Sequence, residues 1–316
     1  MARPRTFKAR RRSLARPAVA AVVAAALAVP SGAAFAQPAQ ARQGVDWKAV
    51  GTAIGKELKP EEGGVHTAEW LRTDLRVVNA GVAENPGMEL GAEAAFHDKA
   101  AGGAVMIGEA TLKADEVGPV ADRLQRGGVE VTALHKHLQD ETPRLWWLHY
   151  VGYGDPVAMA RTVRAALSRT GIPLGQKEGK EPPVALDVAA LNRVIGAKGE
   201  DENGVLQYHV PVAAKIVDTR AGIRLPAPME ASTLLMFQPL GGGRAAVNGD
   251  FTMTAEHVNP VIRALRERGL TVVELHNHLL YEQPRLFYLH FWKMGDAGAL
   301  ARDLRAALDQ AGAARS

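Results

Sequence analysis

The sequence predicts an α+β protein made of two tandem copies of one module, each an antiparallel sheet with its helices on a single face. Three observations carry that prediction. A shift of 141 residues lays the chain on itself without a gap, helical and strand periodicities follow one another within each copy, and a polar Gly/Pro/Lys-rich stretch separates the copies. Under the shift, Asp46, Ile54 and Gly55 fall on Asp187, Ile195 and Gly196, Met88-Glu89 on Met229-Glu230, Phe96 on Phe237, and Gly108 on Gly249. Between residues 102–167 and 243–308, 30 of 66 positions are identical. The modules therefore span 46–170 and 187–311, with a linker at 171–186.

The second copy shows the elements most clearly. Residues 233–239 and 244–254 flank Gly241, Gly242 and Gly243 as a hairpin. Residues 256–268 put Val258, Val261, Ile262 and Leu265 on one helical face and stop at Gly269. Residues 270–279 and 286–292 read as strands about a short turn, and Asp296 is placed to cap a last helix at 297–308. Strand, helix, two strands and helix in that order imply a pseudo-symmetric pair of ferredoxin-like modules.

Residues 1–36 read as a signal peptide. Arg3, Arg5, Lys8, Arg10, Arg11, Arg12 and Arg16 precede twelve consecutive apolar residues (18–29), then Pro30-Ser31-Gly32 and the small-residue site Ala34-Phe35-Ala36. Twelve residues span about 18 Å as a helix against a hydrocarbon core of ~30 Å, so no permanent membrane span is expected. Cleavage near Ala36 and Sec-type export would leave the protein secreted or otherwise extracytoplasmic. The segment after Arg11-Arg12 fits a twin-arginine signal poorly.

Composition removes several functions. With no cysteine among 316 residues, thiol catalysis, Cys-ligated zinc, iron–sulfur clusters, disulfides and a lipoprotein anchor are excluded. The formal charge of +4 contains the seven basic residues of the leader, so the remainder carries −3, which argues against nucleic acid as a partner. Nucleophile elbows, HExxH helices, EF-hand loops and phosphate loops do not occur.

Six of the ten histidines lie in one repeated hairpin motif: His135, His137 and His149 in the first copy, His276, His278 and His290 in the second. Residues i and i+2 of a strand share a face, so each His-x-His pair projects together. On the returning strand Phe287, Leu289 and Phe291 face the helices, which turns Tyr288, His290 and Trp292 the other way. The hairpin register sets either His276 or, shifted by two, Glu274 opposite His290. Three neutral imidazoles are good ligands for Zn²⁺, Cu²⁺ or Ni²⁺, while strand histidines also serve as plain structural hydrogen-bonding residues. Ala133 and Lys136 replace Glu274 and Asn277, which suggests a weaker site in the first copy.

Glu141 and Glu282, in the hairpin turns, are candidate general bases, or simply exposed turn residues. Arg144 and Arg285 suit a carboxylate or phosphate, or an ion pair with the turn glutamate. Trp147, Tyr288 and Trp292 suit sugar rings, or packing between the two sheets. The leading functional expectation is an exported protein binding a small molecule or cell-envelope component, with a transition metal as a further ligand. The alternatives are a metal-dependent hydrolase acting on cell-envelope material and a non-catalytic scaffold.

The stretch Asn248-Gly249-Asp250-Phe251, Val258-Asn259-Pro260-Val261, His276-Asn277-His278, Glu282-Gln283-Pro284-Arg285-Leu286 and His290-Phe291-Trp292 resembles the LppY/LpqO family of exported bacterial proteins. The resemblance covers nearly all of the chain after the leader, with the first copy more diverged. It implies a domain of unknown function and no catalytic mechanism. Some relatives are lipoproteins, a property the missing cysteine withholds from this chain.

Overall fold

The computed structural model describes residues 44–99, 102–175 and 183–313; the expected signal peptide at 1–36 and the middle of the expected linker lie outside the described residues. Each module opens with a short helix, Trp47–Ile54 and Val188–Ile195, started by an aspartate and stopped by a left-handed glycine. Asp46 accepts the Ala49 N–H at 3.0 Å and Asp187 that of Ala190 at 2.9 Å. Gly55 and Gly196 take positive φ, which a Cβ would resist. Arg164 and Arg305, also related by the repeat, donate to the free carbonyls of Ile54 and Ile195 at those helix ends.

Each module folds around one six-stranded antiparallel sheet. In the first, the order is Lys59–Pro60, His66–Leu71, Gly91–Asp98, Ala104–Lys113, Leu145–Gly154 and Glu130–His135; the second repeats it with Glu200–Glu202, Val205–Pro211, Ser232–Gly241, Arg244–Met253, Phe287–Asp296 and Thr271–His276. The helix Ala114–Arg126 connects Ala104–Lys113 to Glu130–His135, and Leu145–Gly154 inserts between those strands. This is the split β-α-β arrangement of a ferredoxin-like module. One departure is topological: the strand neighbouring Ala104–Lys113 on its other side is Gly91–Asp98, which precedes it, and the final helix Pro156–Leu167 leads out of the module. The order is that of a circularly permuted ferredoxin-like fold.

The helices cover one sheet face. In the second module Leu235, Phe237, Val247, Phe251, Leu289 and Phe291 meet Val258, Val261, Leu265, Leu300 and Leu304 in one buried cluster. The expected parity of the returning strand therefore holds: Leu289 and Phe291 sit under the helices, and His290 is on the other face. Ala297–Gln310 starts at Asp296, which accepts the Ala299 N–H at 2.8 Å. The expected strand at 270–279 is shorter, ending at His276.

The described residues of both modules belong to one compact unit. Their helix-free sheet faces pack on each other. Val65, Val105, Ile107 and Val151 of the first module share a buried cluster with Met229, Leu279, Leu286 and Tyr288 of the second. Gln238 ties the contact by donating to the Ala83 carbonyl at 2.8 Å and accepting the Asn85 N–H at 2.8 Å. Among the described residues, no helix is long and apolar enough to cross a membrane.

Candidate functional site: a histidine centre between two sheets

The six motif histidines meet in one place. The second register foreseen for the hairpin is the one formed: Glu274 lies opposite His290 and Ala133 opposite His149, each pairing following a bulge in the edge strand. His135 and His276 end their strands, while His137 and His278 lie in the irregular turn just beyond. The rings of each pair nevertheless stay together, with His276 Nε2 2.8 Å from His278 Nε2 and the His135 and His137 centroids 5.0 Å apart.

Docking of the two sheets then stacks each ring on one from the other module. His135 lies on His276 at 3.6 Å between centroids, His137 on His290 at 3.7 Å, and His149 on His278 at 3.8 Å. The histidines of the two modules thus lie together in one shared centre. Glu274, which distinguished the second copy, accepts the Lys136 N–H across the interface at 2.7 Å. Lys136 and Asn277 both reach back to their own hairpins, at the carbonyls of Leu145 and Leu286.

Four carboxylates that the motif search missed complete the centre. Glu109 lies opposite His149 on the neighbouring strand and Asp250 opposite His290. Glu109 Oε2 is 3.2 Å from His149 Nε2, and Asp250 Oδ2 is 3.3 Å from His278 Nε2. Glu89 and Glu230 approach from the loops before the central strands, both with positive φ. Glu89 Oε2 stands 3.2 Å from His137 Nδ1, and Glu230 Oε2 2.7 Å from His278 Nδ1. The signal was in the repeat: Met88-Glu89 matches Met229-Glu230, and the residues after Gly108 and Gly249 are both acidic.

Those two glycines are required by close approach. A Cβ on Gly108 would stand 2.3 Å from the Glu93 carbonyl oxygen, and one on Gly249 2.0 Å from that of Leu234. Gly249 also offers its carbonyl to His290 Nδ1 at 2.9 Å. With Nδ1 of His290 and of His278 donating to oxygen, the Nε2 lone pairs of both rings face the centre, as in second-sphere support of metal-bound histidine.

Burial sets the protonation states. His135, His137 and His290 are held well below the ordinary imidazole range by burial and then by the other imidazoles. His276 moves the same way, through burial, His278 and His290. Burial takes His278 down to about 4, His149 adding to the shift and Glu230 opposing it. His149 is the exception: burial lowers it, but Glu109 and Glu230 outweigh that and raise it to about 10. Burial and neighbouring carboxylates push Glu89 and Asp250 up. Five of the six rings are therefore neutral at pH 7, the form that binds metal.

Hydrogen bonding within the protein does not satisfy this cluster. Both ring nitrogens of His137 and His149, Nδ1 of His135 and His276, and Asp250 Oδ1 are buried without a well-aligned partner. A cation would satisfy lone pairs that otherwise cost free energy. Among the described residues, four groupings have ligand atoms all within 4.8 Å of one another: His135 with His276, His278 and His290; His135 with His137 and His149; Glu89 with His137 and His290; and His149 with Glu230 and His278. His135 Nε2 and His290 Nε2 are 3.3 Å apart, about the edge of a tetrahedron with Zn–N bonds of ~2.0–2.1 Å.

The remaining sequence candidates surround this centre. Trp147 stacks on His137 at 4.3 Å and donates to the Glu89 carbonyl at 2.8 Å; Tyr288 stacks on His278 at 3.7 Å and donates to the Glu230 carbonyl at 2.7 Å. Both are buried between the sheets, and Trp292 packs against the cluster of Val77, Leu90 and Trp147, so these aromatics form an interface and not an open platform. Glu141 and Glu282 are buried, contrary to the exposed-turn expectation, because each sits in a two-residue strand paired with another short strand, Val78–Asn79 or Val217–Asp218. Glu141 accepts from the Leu145 N–H and Lys136, and Glu282 from the Leu286 N–H and Arg285, so both brace their hairpins. Arg285 also donates to the Leu279 and Leu280 carbonyls, while Arg144 is exposed.

A family model described as Domain of Unknown Function (DUF1259) matches residues 48–169 and again 189–310. The chain belongs to that family. Its two DUF1259 copies are the two modules that share the histidine centre. No curated protein matches the chain. Among solved structures it is similar to a double-ringed trimeric shell protein from the RMM microcompartment, at 16% identity over 66% of this chain and 82% of that one, with a TM-score of 0.20. It is also similar to the trimeric bacterial microcompartment shell protein PduB, at 14% identity over 80% and 89%, with a TM-score of 0.20. Scores this low give neither likeness weight for function or assembly.

Proposed function

We propose that the protein binds a transition metal, Zn²⁺, Cu²⁺ or Ni²⁺, in the centre between its DUF1259 modules, and that it does so outside the cytoplasm. The observation that carries the reading is the convergence of six imidazoles from both copies, with the Nδ1 atoms of His278 and His290 held by Glu230 and the Gly249 carbonyl. The leader-like segment at 1–36 and the motif resemblance to the exported LppY/LpqO proteins support the location.

Binding is favoured over hydrolysis. Glu282, the base a hydrolase would use, is 1% exposed, and its Oε1 holds the Leu286 N–H and Arg285. Metal analysis of untagged protein, stripped with chelator and reloaded, tests the reading. The native chain retains metal through dialysis at pH 7.5, a condition chosen at about one unit above the ordinary imidazole pKa. His276→Ala and His278→Ala each weaken retention at least about tenfold. A native chain that holds no metal, with His→Ala variants that only unfold more easily, would establish the scaffold reading instead.

A further inference from the structure

We propose that the centre holds two metal ions, one in a His₃-carboxylate set from each module. The inference rests on the metal-binding reading above and deepens it. The first set is His135, His137, His149 and Glu109; the second is His276, His278, His290 and Asp250, each residue displaced from its counterpart by the 141-residue repeat.

Donor number is the first argument. Six imidazoles and two inner carboxylates make eight donors, twice what one tetrahedral ion accepts. Geometry is the second. Within the first set Glu109 Oε2 lies 3.2 Å from His149 Nε2 and 3.8 Å from His137 Nε2. Within the second, Asp250 Oδ2 lies 3.3 Å from His278 Nε2 and 3.8 Å from His290 Nε2. Both acids thus contact two imidazoles of their own set, at spacings close to the ~3.3 Å ligand–ligand edge of a tetrahedral site. Glu89 and Glu230 lie between the sets, Glu89 near His137 and His290 and Glu230 near His149 and His278, and their close contacts to Nδ1 of His137 and His278 are matching orienting positions.

Charge is the third argument. Glu89, Glu109, Glu230 and Asp250 place four carboxylates around the imidazoles. Two divalent ions carry the four positive charges that match these carboxylates once metal displaces the protons that burial keeps on Glu89 and Asp250. The stacked rings, 3.6–3.8 Å apart across the interface, keep the two sets in contact, so paired paramagnetic ions are close enough to couple.

Stoichiometry and magnetism test this on the untagged full-length chain, stripped of metal and titrated with Zn²⁺ or Cu²⁺. The native protein takes up two equivalents, and the di-copper form gives an electron paramagnetic resonance signal weaker than two isolated Cu²⁺ ions, with a half-field line. Glu109→Gln and Asp250→Asn each reduce uptake to one equivalent and restore an isolated Cu²⁺ spectrum. The copper spectrum of the native chain decides the matter even where a variant fails to fold. One equivalent in the native protein, with an isolated spectrum, overturns the two-ion assignment and leaves the metal-binding reading standing. No uptake overturns both. Two equivalents retained in both folded variants overturn the His₃-carboxylate sets.

Discussion

At the level of single side chains, the centre depends on residues that orient imidazoles as much as on the imidazoles. Glu230 accepts from His278 Nδ1 at 2.7 Å and faces His149 Nδ1 at 3.4 Å. Burial opposes its ionisation, yet His278 and His149 hold its carboxyl below the usual range. Glu230→Gln keeps the shape and removes the charge, so it should weaken metal binding about 10–100-fold while the far-ultraviolet circular dichroism is unchanged. Unaltered affinity would show that Glu230 does not position His278. This glutamate was readable from the repeated Met-Glu pair, but nothing in its flanking pattern ties a loop residue to a histidine 48 positions away.

Secondary-structure elements transmit the repeat faithfully because local chemistry specifies them. Asp155 and Asp296 begin the last helix of each module, accepting the N–H groups of Val157 and Ala299 at 3.0 and 2.8 Å. Asp155→Ala and Asp296→Ala should each cost about 1 kcal/mol in urea denaturation, and metal stoichiometry should not change. A loss well above 2 kcal/mol would mean the aspartates do more than cap. The strand elements were legible for the same reason: apolar Leu289 and Phe291 alternate with Tyr288 and His290, and a period of two leaves only two faces to choose from. The bulge between Val272 and Glu274 was not legible, and it is what sets Glu274 rather than His276 opposite His290.

Across the whole molecule, the interface stores a proton-sensitive group apart from the histidines. Glu84 is buried near Trp292 at the edge of the contact, and burial raises it to about 7, against the pull of Trp292 and Asn79. A carboxyl raised in the folded state favours folding while it is protonated, below about 4.5, and that contribution is lost as pH rises towards about 7. Glu84→Gln should therefore stabilise the chain relative to the native protein at pH 8 by up to about 3 kcal/mol more than at pH 5, in urea denaturation with chelator present. An equal difference at the two pH values would remove Glu84 from the account.

Duplication, helix caps, strand parity and the absence of thiol chemistry are properties of neighbouring residues, and the amino-acid order specifies them locally. The merging of two histidine hairpins into one centre is of another kind. It arises because the helix-free sheet faces bury apolar area against each other, bringing His135 within 3.6 Å of His276 and His137 within 3.7 Å of His290. Contacts between side chains more than a hundred residues apart leave no periodic trace, so the docking of the two sheets, and the burial that neutralises the imidazoles, emerge only in the folded chain.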